Sequence, residues 1–175
     1  MPSFQGDLDG LCGPYAIVNA FEHCGIDRAE EIFAVACEAL ARRRWPRVLW
    51  EGTTIGDLKR MINLCREIFD DAQQVKVSYP FSRKTPVSNA QYWQRFDQIF
   101  KERPEARCMI LGLTRPNHHW IVAVRETPGR VSFVDTDWRR PFTRKNRSML
   151  HAGVRNGHPS KWIIDRGLLI LFEAR

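Results

Sequence analysis

An α+β fold, with an N-terminal helical part packed on a C-terminal antiparallel β-sheet, is what the sequence predicts. Apolar residues recur at helical spacing before Arg107. Beyond it come short runs rich in β-formers: CMILGL, HWIVAV, VSFV and LLILF. The two patterns are segregated rather than alternating, which argues against a parallel α/β sheet.

The first helix is expected over Gly13 to Cys24, with Pro14 suited to its opening turn and Gly25 to its end. Cys12 then stands at a helix N-terminus. A second helix is expected from Arg28 to about Arg44, because Asp27 and Glu30 have cap and N3 spacing, and Pro46 closes it. Thr54 and Asp57 suit the start of a third, Ile55 to Phe69, whose stripe of Leu58, Met61, Ile62 and Cys65 reads as core. A strand is expected at Gln74 to Phe81, then a helix carrying Trp93, Phe96 and Phe100, which Ser88 and Gln91 open as a capping box.

A length of 175 residues fits one domain, 1–175, and is enough to bury a core without disulfide or metal staples. The acidic start MPSFQGDLDG is unlike a signal peptide, and no run approaches the length of a membrane span. Five scattered cysteines with no CxxC pair favour free thiols in a reducing compartment, so a cytoplasmic location is expected. Cys24, Cys37, Cys65 and Cys108 read as core residues.

A net charge of +7 favours an acidic partner. Much of the excess lies in Arg139, Arg140, Arg144, Lys145, Arg147, Arg155 and Lys161, a basic face that reads as solvated surface. No nucleic-acid-binding pattern accompanies it. His118, His119, His151, His158 and Cys108 lack zinc-ligand spacing, so neither metal nor other cofactor is expected.

Chemistry concentrates at two places. A thiol attacks as thiolate, which the unpaired N–H groups and dipole of a helix N-terminus favour; Cys12 has that placement. Gly10 and Gly13 beside it would let a substrate backbone approach the sulfur. The second place is Asn117-His118-His119-Trp120, opening a strand, with Asp135 at the end of VSFV. A five-residue loop from Arg125 to Gly129 would set His119 directly opposite Asp135, within reach of an imidazole–carboxylate bond. A two-residue turn at Pro128-Gly129 would set it opposite Trp138 instead. His118 competes for the role of base because one step along a strand exchanges faces, and Asp137 competes with Asp135 by period two.

Gln5, the stretch Gly10-Leu11-Cys12-Gly13-Pro14-Tyr15-Ala16, His119-Trp120 and Asp135, in that order, resemble the papain-like cysteine peptidases. The look is nearest to the bacteriocin-processing (double-glycine leader) peptidase branch. That resemblance implies a papain-like α+β fold. It also implies Cys12 as nucleophile, His119 as general base and then acid, Asp135 as the orienting group and Gln5 as an oxyanion donor. A cysteine peptidase acting on a protein or peptide substrate through an acyl-thioenzyme follows. The same triad could serve an acyltransferase or a glutamine deamidase, and a degenerate hydrolase fold could serve as an inactive binding module with a basic face.

Overall fold

The computed structural model describes residues 10–115, 117–127, 129–135, 142–153 and 162–174. Gln5, Asp137 and most of the basic run from Arg139 to Lys161 lie outside them. Helix α1 spans Cys12–His23 and α2 spans Ala29–Glu38. A 3₁₀ turn at Arg42–Arg44 and the short α3, Val48–Glu51, lead to α4, Ile55–Ile68, and α5, Asp70–Gln74. Strand β1 is Lys76–Ser78 and α6 is Asn89–Glu102. Then come β2 (Ala106–Arg115), β3 (His119–Thr127), β4 (Arg130–Val134), β5 (Phe142–Asn146), β6 (Leu150–Ala152) and β7 (Trp162–Glu173).

Among the described residues the strands form a seven-stranded sheet in the order β1-β7-β2-β3-β4-β5, with β6 added on β7. All pairs are antiparallel except β6 with β7. Both faces are covered. On one, Ala16, Ile17 and Phe21 of α1 meet Ile32 of α2, Leu58 and Met61 of α4, and Cys108, Ile110 and Val122 of the sheet. On the other, Tyr92, Trp93 and Phe96 of α6 pack on Met109, Leu111, Ile121 and Phe133. Burial on both sides explains why β2 reads as a continuous apolar run rather than an alternating one.

The second helix stops at Glu38, well short of the expected Arg44, and its N-cap is Arg28 with no side-chain cap from Asp27. Tertiary bonding breaks it. The Arg44 guanidinium donates to the Gly52 carbonyl at 2.9 Å and to Asp57 at 3.3 Å, and the chain must turn to bring it there. The strand expected from Gln74 is confined to β1, because Gln74 closes the extra helix α5. Cys24 and Cys37 are half-buried rather than core, whereas Cys65 and Cys108 are fully buried.

The helix starts read at Thr54 and Ser88 are present, the second in modified detail. Thr54 caps α4: its hydroxyl accepts from the Asp57 amide at 3.2 Å, and the Asp57 carboxylate accepts from the Thr54 amide at 2.9 Å. Ser88 caps α6 in the same manner, but Gln91 turns back one residue further, accepting from the Val87 amide at 2.7 Å. Asp57 does more than cap. Its carboxylate is buried and also takes bonds from the Thr54 hydroxyl, Arg44 and Arg60.

Burial opposes the ionised form of Asp57, yet the bonds from Thr54 and the charges of Arg60 and Arg44 outweigh it and hold the carboxyl below its ordinary 3.8. A depressed native pKa contributes stability above the unfolded value, and that contribution disappears as pH falls through the native one. Thermal melts taken from neutral pH down to about pH 2 should therefore show the gap between wild type and Asp57→Asn closing in acid.

Candidate active site

The first turn of α1 is buried: Cys12 is 6% exposed, and Gly13 and Pro14 are also inside. Two glycines make this possible, though in a different way from the one their spacing suggested. A Cβ on Gly13 would lie 2.1 Å from the Thr53 hydroxyl oxygen, and one on Gly10 would lie 2.7 Å from the Val48 carbonyl oxygen. These positions are filled by α3 and the loop between it and α4, so neither is open to a substrate backbone. Their role is to let the segment 48–53 close against the helix N-terminus.

A second tie fixes the same loop to the sheet. Trp120, 5% exposed, donates its indole N–H to the Thr53 carbonyl at 3.0 Å. This sets β3 at its first residues, where His119 opens the strand, a short way from the helix that begins at Cys12. Cys12 lies near enough to the His119 ring to favour its charged form. On the ring's other side Nε2 lies 2.7 Å from Asp135 Oδ1, which leaves Nδ1 as the nitrogen for the sulfur.

The path from His119 to Asp135 differs from both expected registers. Thr127 pairs with Arg130, but a shift follows, and Val124, Ala123 and Val122 pair with Ser132, Phe133 and Val134. Continued one step, that register sets Asp135 across from Ile121, not His119. The bond is made diagonally, two residues along the same face, a distance the long imidazole can bridge. His118 is exposed at the rim of the cavity, and among the described residues the carboxylate bond to the pair belongs to its neighbour.

Three influences act on the His119 ring. Burial disfavours its charged form, but the Asp135 bond and the adjoining Cys12 favour it more strongly, and the ring's pKa is raised from 6.5 to about 10. At neutral pH the geometry therefore holds an imidazolium between a carboxylate and a sulfur. Asp135 is 8% exposed, so its charge is poorly screened by solvent.

Next to this line of three lies a cavity of about 330 Å³. The segment Glu51–Ile55 forms one wall, Gly112, Leu113 and Thr114 of β2 another, and Asp165 and Leu168 of β7 a third, with Cys12 and His119 inside. Among the described residues no cluster of three His, Cys, Asp or Glu side chains is arranged to hold a metal ion.

No protein-family model and no curated protein sequence matches the chain. A solved structure does: the peptidase domain of Streptococcus ComA, a bifunctional ABC transporter involved in a quorum-sensing pathway. The match has a TM-score of 0.56 and covers 99% of this chain and 97% of that one, at 13% identity. The chain has a papain-like peptidase fold. Within that fold, Cys12 and His119-Trp120 were legible as short motifs. Thr53, Asp165 and Leu168 were not, because each enters the site through a loop or strand irregularity that leaves no periodic signal. Among the described residues no helix is long and apolar enough to cross a membrane.

The contact between Gly13 and Thr53 gives a direct test. Gly13→Ala should destabilise the protein by roughly 1–3 kcal/mol through overpacking. Thr53→Ala should recover part of that loss in the double variant, giving a measurable coupling energy in denaturant melts.

Proposed function

We propose that this chain is a cysteine peptidase that cleaves a protein or peptide substrate, with Cys12 as nucleophile, His119 as proton carrier and Asp135 as the group that orients it. The observation that carries the reading is the 2.7 Å bond between Asp135 and His119, with Cys12 favouring the charged form of the same ring, beside a cavity of about 330 Å³ lined by Cys12 and His119. The likeness in fold to a peptidase domain supports it.

In this reading the Cys12 thiolate, paired with the His119 imidazolium, adds to the scissile carbonyl. Charge gathers on the carbonyl oxygen, and N–H donors at the start of α1, which have no partner within the helix, are suited to receive it. Gln5 is the side-chain donor that the sequence resemblance assigns to the same oxygen. Collapse of the tetrahedral adduct breaks the C–N bond as His119 gives its proton to the leaving amine. Water, deprotonated by the now neutral ring, then releases the acyl group from sulfur. Asp135 holds the ring so that Nδ1 meets sulfur throughout, the orienting role of a triad's third member.

An acyl-thioenzyme intercepted by an amine would make the chain an acyltransferase, and a glutamine side chain as substrate would make it a deamidase. The proposal is hydrolysis of a peptide bond, and a new N-terminus among the products distinguishes it from either. A free thiolate at the centre of the chemistry suits a reducing compartment, the cytoplasm in this proposal.

Iodoacetamide near neutral pH should alkylate Cys12 before the other four cysteines, as read by peptide mapping. Burial pushes the Cys65 thiol up to about 12 and, with Cys24 nearby, pushes Cys108 well above its ordinary range, so both should react slowly. In His119→Ala the labelling profile of Cys12 should move upward in pH and turnover should fall by about 10²- to 10⁴-fold. Asp135→Asn should lower turnover less. Equal labelling of Cys12 and Cys65, or a profile indifferent to His119, would leave the binding-module reading as the better one.

A further inference from the structure

Strand β7 is interrupted beside the cavity. Leu111 pairs with Leu169, yet Leu113, two residues on, pairs with Ile164, so the single residue Gly112 faces the whole stretch from Asp165 to Leu168. Bulges of this kind re-aim side chains and are enriched near active sites. Here the bulge brings Leu168 flat over Gly112, where a Cβ would stand 2.8 Å from a Leu168 methyl. Asp165 is brought to the same cavity wall.

The cavity's chemistry is uneven. Ile55, Leu113, Trp120 and Leu168 give it an apolar lining, and among the described residues its charged members apart from histidine are Glu51 and Asp165. Glu51 already faces a cation, its carboxylate lying 3.5 Å from Arg44. Asp165 does not. Its Oδ1 accepts from the Gly167 amide at 2.8 Å, and among the described residues no cation is paired with it. The neighbouring Arg166 is directed elsewhere, with its guanidinium packed over Gly153.

We infer that the Asp165–Leu168 bulge is a specificity element that selects a peptide carrying a lysine or arginine side chain beside the scissile bond. The aliphatic stem of such a side chain would lie along Leu168 and Leu113 while its cationic head meets Asp165, the arrangement in which long basic side chains bury their stems and keep their heads at a polar rim. The assignment rests on the peptidase reading given above. It also replaces the acidic substrate that the net charge of the chain favoured. Much of the positive excess lies in the run from Arg139 to Lys161, and among the described residues no lysine or arginine lines the cavity.

Peptidyl vinyl sulfones test this whatever the natural substrate is, since the thiolate adds to the vinyl carbon and each probe reports one labelling rate at Cys12. Probes should differ only in carrying lysine, its uncharged counterpart norleucine, or glutamate at each of four positions before the warhead. At one position the lysine probe should label about two- to fivefold faster than the norleucine probe, as for a partly exposed ion pair, and the advantage should shrink as salt is added. Asp165→Asn keeps an oxygen for the Gly167 amide and should abolish that preference, read as the ratio of lysine-probe to norleucine-probe labelling within the variant. Asp165→Lys should turn the preference toward glutamate. Rapid iodoacetamide labelling with no lysine preference at any position, or a preference that survives in Asp165→Asn, overturns the specificity assignment alone. Slow labelling of Cys12 by iodoacetamide and by every probe overturns the peptidase reading and this one with it.

Discussion

The closure of the Thr53 loop on the first turn of α1 is the contact from which the rest of the site follows. Without a side chain at position 13, the Thr53 hydroxyl can sit where a Cβ would otherwise be, and the Thr53 carbonyl remains free to receive the Trp120 indole. One residue thereby joins the helix that begins at Cys12 to the strand that begins at His119. The loop is itself held from behind, since Thr54 caps α4 through Asp57 and Arg44 reaches both Asp57 and the Gly52 carbonyl. A buried carboxylate so heavily bonded resists displacement, because breaking any one bond leaves polar groups poorly solvated. The thiol and imidazole are thus positioned by three elements that have no local sequence relation to one another.

How far the sequence disclosed this arrangement depended on the range of the forces involved. Most local signals held: the Thr54 and Ser88 caps, the apolar stripe of α4, and the β-rich runs after Arg107 appear where their spacing indicated, whereas the Asp27 cap does not. Cys12 at the head of a helix and His119 at the head of a strand were legible for the same reason. Features decided by distant partners were not. The second helix ends early because Arg44 is drawn to Asp57, and the β3–β4 register is altered by the irregularity between Val124 and Thr127. Asp135 was therefore the right neighbour for His119 by an incorrect route, since a diagonal contact stood in for a direct one.

The cavity wall illustrates the same limit more sharply. Gly112 in an apolar strand is a weak signal, and Asp165 in WIIDRGLLILF reads as an interruption of a β-run. Only the pairing of Leu111 with Leu169 and of Leu113 with Ile164 shows that three extra residues of β7 are accommodated there. The glycine and the interruption are one feature seen from two strands: the strand without a side chain receives the strand with residues to spare.

The order of the sheet bears on how the molecule comes to be made. Strand β7, which follows all the other strands in sequence, lies between β1 and β2, and it contributes Asp165 and Leu168 to the cavity. A nascent chain can form α1 and expose its thiol long before Trp162–Glu173 has left the ribosome, yet β1 has no partner in the sheet and the cavity lacks a wall until then. Pairing between such distant segments is slow relative to local helix formation. Assembly of the complete pocket is consequently tied to the synthesis of β7, so a translation product that stops short of it would carry the Cys12 thiol without the wall that Asp165 and Leu168 supply.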